Sequence, residues 1–148
     1  MNPAPNPLSK PLANPLANPL PHNGRNGLLL FAHGARDPRW AEPFERVAAT
    51  LRAAQPRRPV RLAFLEFMAP DLCTAAAELV DAGCLRIDIL PLFLGAGGHV
   101  RKDLPILLDT LRQEHPRVVY TLHPAVGESS VLIAAMAGIA DALGQPTP

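Results

Sequence analysis

From residue 27 onward the chain alternates between two hydrophobic periods. GLLLFAH (27–33), RPVRLAFLEF (58–67), LRIDILPLFL (85–94) and RVVYTLH (117–123) are short, mostly apolar runs of strand length. Between and after them lie amphipathic segments of helical length: PRWAEPFERVAATLRAA, opened by Pro38; PDLCTAAAELVDAG, with Pro70 near its first turn and Gly83 at its end; and HVRKDLPILLDTLRQEH, closed by His115 and Pro116. In the third of these, Leu104, Leu107, Leu108 and Leu111 form an i, i+3, i+4, i+7 stripe. A last helix is predicted from Glu128 to Leu143, where Val131, Leu132, Ala135, Met136 and Ile139 recur at helical spacing.

Four β-α units in succession predict an α/β fold with three layers, α/β/α. Each crossover must return the chain to begin another parallel strand, giving a four-stranded parallel sheet with helices on both faces. A length of 148 residues suits one domain. The predicted boundaries are a disordered Pro/Asn-rich tail over 1–26, a single domain over 27–144 and a disordered end over 145–148. The tail holds seven of the eighteen prolines and repeats a PLAN unit, which blocks regular hydrogen bonding; a polyproline-like recruitment motif is its alternative reading.

Composition narrows the function. The 14 basic and 13 acidic residues nearly cancel, so no nucleic-acid-binding face is implied. Cys73 and Cys84 match neither a CxxC pair nor a zinc knuckle and read as free thiols in a reducing cytoplasm. No secretion signal is legible, and no run of about 18 apolar residues predicts a membrane span.

In an open parallel sheet ligands gather at the carboxyl ends of the strands. Those ends fall at His33, Glu66, the Gly95–His99 loop and His123, so three imidazoles and a carboxylate are expected on one rim. Arg36, Arg39, Arg101 and Lys102 stand beside them, a collar suited to a small ligand with several carboxylates. The glycines are no dinucleotide fingerprint, because Val100 stands where the third glycine of GxGxxG belongs. Nor are they a Walker A loop, since no lysine followed by Ser or Thr comes after them; Gly95, Gly97 and Gly98 read as clearance for a bulky ligand. HGARD (33–37) suggests a histidine phosphatase, but Ala32 precedes the histidine where those enzymes have arginine.

FAHGARDP, FLEFMAPDL and PLFLGAGGHVRKDLP, in that order and with equal 33-residue steps from His33 to Glu66 and from Glu66 to His99, resemble the small CbiX-type class II chelatases. The resemblance runs from about Leu28 to about Ala140. It implies half of a class II chelatase, a flavodoxin-like half-unit, that inserts Co²⁺ or Fe²⁺ into sirohydrochlorin in cobalamin or sirohaem biosynthesis. It further implies no ATP, no permanently bound cofactor, and a symmetric homodimer. LHPAVGESS departs from the family's more usual leucine-glycine turn, so His123 is given no role.

The residues suit that chemistry. Neutral imidazole binds such ions well enough to strip water yet releases them, and near pH 7 it accepts a pyrrole proton. His33 and His99 are therefore expected to be joint metal ligands and proton acceptors, with Glu66 as third ligand or as the carboxylate orienting an imidazole. Arg36, Arg39, Arg101 and Lys102, with Gly97 and Gly98 giving room, are expected to meet the substrate, and Phe93, Leu94 and Met68 to offer apolar surface. A metal or tetrapyrrole carrier using the same rim is the alternative from another functional class.

Overall fold

A computed structural model describes residues 24–95 and 97–144. The strands are β1 (Arg25–Ala32), β2 (Val60–Phe64), β3 (Cys84–Pro91) and β4 (Val119–Leu122), and the helices are α1 (Glu42–Ala54), α2 (Leu72–Asp81), α3 (Gly98–Glu114) and α4 (Ser130–Leu143). All strand pairs are parallel, in the order β2-β1-β3-β4. The expected alternation is present, with shifted boundaries. β1 begins inside the predicted tail because Arg25 and Asn26 pair with Cys84 and Arg86. The remainder of that tail, 1–23, and the predicted end, 145–148, lie outside the described residues. The first predicted helix is split into a 3-10 turn over Pro38–Ala41 and α1, since Pro43 lacks the N–H that would continue the ladder. β2 stops at Phe64, three residues early, and the chain there bends back so that the Phe64 N–H donates to the Pro70 carbonyl at 2.9 Å.

The direction of each crossover decides which face a helix covers. From β1 the chain steps one way to β2; from β2 to β3 and on to β4 it steps the other way, so right-handed crossovers put α1 on one face and α2 with α3 on the other. The α1 face buries Leu28, Leu30, Ala48, Val60, Leu62 and Phe64, with Trp40, Phe44 and Leu51 partly buried against them. Trp40 and Phe44 lie ring to ring at 4.7 Å, as core residues, whereas Val47 is exposed. The opposite core gathers Leu29, Phe31, Ile87, Ile89, Leu79 and Tyr120 under α2 and α3. The predicted stripe of α3 faces it, Leu108 and Leu111 buried and Leu104 and Leu107 at its edge. Asp71 caps α2 by accepting from the Thr74 N–H at 2.8 Å, and that bond holds its carboxyl below the usual range.

Tyr120 carries a defect in this core. Its hydroxyl is buried without a hydrogen-bond partner among the described residues, and burial, with Glu114 and Cys73 nearby, pushes its pKa up to about 12. Removing an unsatisfied buried group does not cost what breaking a bond does. Tyr120→Phe is therefore expected to leave stability unchanged or raise it by up to about 1 kcal/mol, read by calorimetry as a thermal midpoint equal to or above the native one.

Helices lie on both faces of the sheet as expected, and α4 is the one that stays uncovered among the described residues. Nothing in it is buried: Val131 is 78% exposed and Leu143 85%, and of the predicted stripe only Leu132 is partly covered. The helix forms, but it stands off the sheet. Among the described residues no layer covers β3 and β4 on the α1 side, and Arg86, Val119 and Thr121 are exposed there. A cavity of about 770 Å³, lined by Leu28, Arg58, Asp88, Leu90, His123 and Ser130 among others, occupies this place.

Asp88 organises the open face. It meets Arg58 Nη2 at 2.7 Å and His123 Nε2 at 2.9 Å. Burial by itself would raise its pKa. Hydrogen bonds from His123 and Asn26, with the neighbouring charges of His123 and Arg58, outweigh that and hold it below the ordinary value. A carboxyl lowered on folding stabilises the fold fully above its unfolded pKa of about 4, and that contribution is lost as pH falls through the folded value. The melting temperature should therefore drop more steeply between about pH 5 and 3 in the native protein than in Asp88→Asn, as thermal melts across pH would show.

Candidate metal and ligand site

The strand order reverses between β1 and β3, which opens a crevice at their carboxyl ends. His33 follows β1 directly. Next to it Gly34 has φ +92°, and a Cβ there would lie 1.9 Å from the Glu66 carbonyl oxygen, so only glycine lets the two rim loops meet. The Glu66 N–H donates to the His33 carbonyl at 3.0 Å. The outcome is a side-chain pair, His33 Nε2 to Glu66 Oε1 at 3.3 Å, with the two side chains 47% and 48% exposed. The His33 ring stands edge-on to Phe93 at 6.0 Å, and Phe93 is itself edge-on to Phe31 at 5.7 Å. Phe93 is buried, so it supports His33 from beneath instead of presenting a surface to a ligand. Leu94 is exposed at the rim, whereas Met68 packs against the α1 core.

The basic residues divide. Arg36 lies with its guanidinium carbon 5.1 Å from the centre of the Phe67 ring. Phe67 is 58% exposed and holds φ +62°, a conformation that costs a non-glycine residue about 1–2 kcal/mol. Arg39 is engaged by Asp37 through Nη2 at 2.8 Å and Nε at 3.2 Å, so reaching a ligand requires it to leave that carboxylate. This side-chain bond, with the one from the Arg39 backbone N–H, lowers the Asp37 pKa. Arg101 and Lys102 are exposed on the first turn of α3.

His99 lies on that same turn, exposed, behind Gly97, which gives α3 no side-chain cap. Side chains added at Gly95, Gly97 or Gly98 would meet nothing within 4 Å. Local packing therefore does not require these glycines, and the space above them is open. Among the described residues no group of three or more His, Cys, Asp or Glu is assembled for an ion: His33 and Glu66 are together, and His99 stands outside the pair. His123 does not share the rim as expected, because its ring is turned onto the sheet face toward Asp88. Sequence reasoning missed Asp88, Arg58 and Phe67. A lone acid within LRIDIL was a legible sign of the first; a left-handed backbone at a phenylalanine leaves none.

Residues 27–141 match the CbiX family. A sirohydrochlorin cobaltochelatase of Methanococcoides burtonii is 32% identical over 82 residues, which are 55% of this chain and 63% of that relative's length. The chain thus spans less than two thirds of that relative. The solved structure of a CbiX protein from Marinobacter aquaeolei superposes with a TM-score of 0.69 at 31% identity, over 78% of this chain and 94% of that one. Sirohydrochlorin chelatase SirB of Bacillus subtilis subspecies spizizenii, solved with cobalt, shares the fold at a TM-score of 0.70 and 19% identity, over 79% of this chain and 50% of that one. With the family match covering the sheet, the paired His33 and Glu66 and the glycine-rich start of α3, the chain belongs to the CbiX family.

Proposed function

We propose that this chain inserts a divalent ion, Co²⁺ or Fe²⁺, into sirohydrochlorin without ATP, as a homodimer in the cytoplasm. The observation that carries the reading is the His33–Glu66 pair at the reversal of strand order, beside an α3 start with open space over its glycines. His33 and Glu66 take the ion as substrate, and His99 joins as third ligand while leaving positions for the ring nitrogens. As the ion enters, two pyrrole N–H bonds break and two protons leave, accepted by the imidazoles as they release the metal. Glu66 keeps the His33 ring oriented. Arg36, Arg101 and Lys102, and Arg39 once freed from Asp37, meet the peripheral carboxylates.

The homodimer is supported by α4 and the open face of β3 and β4, two surfaces that are left uncovered among the described residues and that a second copy would cover. This chain matches 50% of the length of SirB, as a half-unit would. Cys73 and Cys84 are both free thiols, which supports a reducing compartment. No described helix is long and apolar enough to cross a membrane.

The test is to mix the purified protein with sirohydrochlorin and Co²⁺ or Fe²⁺ and follow the absorbance change. Metallation well above the protein-free rate supports the enzyme. Tight binding of metal or macrocycle with no rate increase overturns it in favour of a carrier. Light scattering on the full chain reads the dimer.

A further inference from the structure

We infer that Phe67 is a specificity-determining residue whose ring receives the flat face of the macrocycle, fixed from its other side by Arg36. This rests on the chelatase reading above. The loops after β1 and β2 meet twice: once at His33 and Glu66, and again at Arg36 and Phe67. The second contact lies three residues beyond the first in one loop and one residue beyond it in the other. An exposed aromatic side chain in a left-handed backbone is the reverse of what stability alone favours; glycine or asparagine would suit that backbone better. Strain of this kind, kept beside reacting groups, points to function.

The chemistry of the pair matches one ligand class. A conjugated macrocycle offers an apolar face and a ring of carboxylates. The Phe67 ring accepts the face, and the Arg36 guanidinium, stacked on that ring, keeps its N–H edge for a carboxylate. Contact at Phe67, next in sequence to Glu66, places the macrocycle relative to the ion held there.

Phe67→Gly separates this role from a structural one, because it relieves the backbone while removing the ring. The expected result is a melting temperature equal to or above that of the native protein, an affinity for metal-free sirohydrochlorin weakened by about tenfold in absorbance titrations, KM raised in parallel, and Co²⁺ binding changed less than about twofold. Phe67→Trp should restore the affinity to within about threefold. Arg36→Ala combined with Phe67→Ala should lose less than the two single losses multiplied. Unchanged sirohydrochlorin affinity in Phe67→Gly overturns the inference even where the native protein metallates normally. A native protein that neither binds nor metallates sirohydrochlorin overturns the chelatase reading, and the inference with it.

Discussion

His33→Ala is expected to slow metal insertion by about a hundredfold to ten-thousandfold, the range typical of a lost acid-base group, while leaving the fold intact. The side chain is half exposed and its ring rests on Phe93 from above, so its removal opens no cavity in the core. Glu66 then faces water without its partner, which a surface carboxylate tolerates. His99→Ala should fall in the same range for the rate, yet weaken binding of Co²⁺ alone less, because His99 stands outside the pair. Rates from the absorbance assay and Co²⁺ affinity from calorimetric titration check both statements. A full native rate in both variants would remove imidazole from the chemistry.

Gly34→Ala should be the most damaging single methyl group in the rim. Its Cβ would overlap the Glu66 carbonyl oxygen, and alanine at φ +92° is strained whatever the space. The backbone alone accounts for about 1–3 kcal/mol, and the loops must also separate. Parting them breaks the bond from the Glu66 N–H to the His33 carbonyl and draws the two side chains apart. Denaturant unfolding should show the lost stability, and Co²⁺ titration a lost site. By contrast, Gly98→Ala meets nothing within 4 Å, so its effect should fall on sirohydrochlorin affinity and not on folding.

The two variants also mark what was legible in sequence. Strand runs and the leucine stripe of α3 were readable because burial imposes its period on the residues themselves. The rim positions of His33 and Glu66 followed from strand ends, and the structure brings them into contact. What was not legible depends on backbone angles and on which groups find each other. His123 sits at a strand end like His33, yet Asp88 draws it onto the sheet face. Arg39 carries the same charge as Arg36, but Asp37, two residues away, occupies it. Apolar periodicity announced α4 correctly as a helix while saying nothing of what covers it, because a stripe reads the same whether its partner belongs to one chain or to another.

With a second protomer over α4, as proposed above, the protein's stability would depend on dilution. An isolated helix of 14 residues is marginal in water, so α4 gains stability from whatever lies against it. When that cover comes from a second protomer, its supply obeys mass action, and every tenfold dilution withdraws a fixed increment of free energy. Helical content and melting temperature then become functions of how much protein is in the tube, and a thermal midpoint has meaning only beside the concentration at which it was recorded.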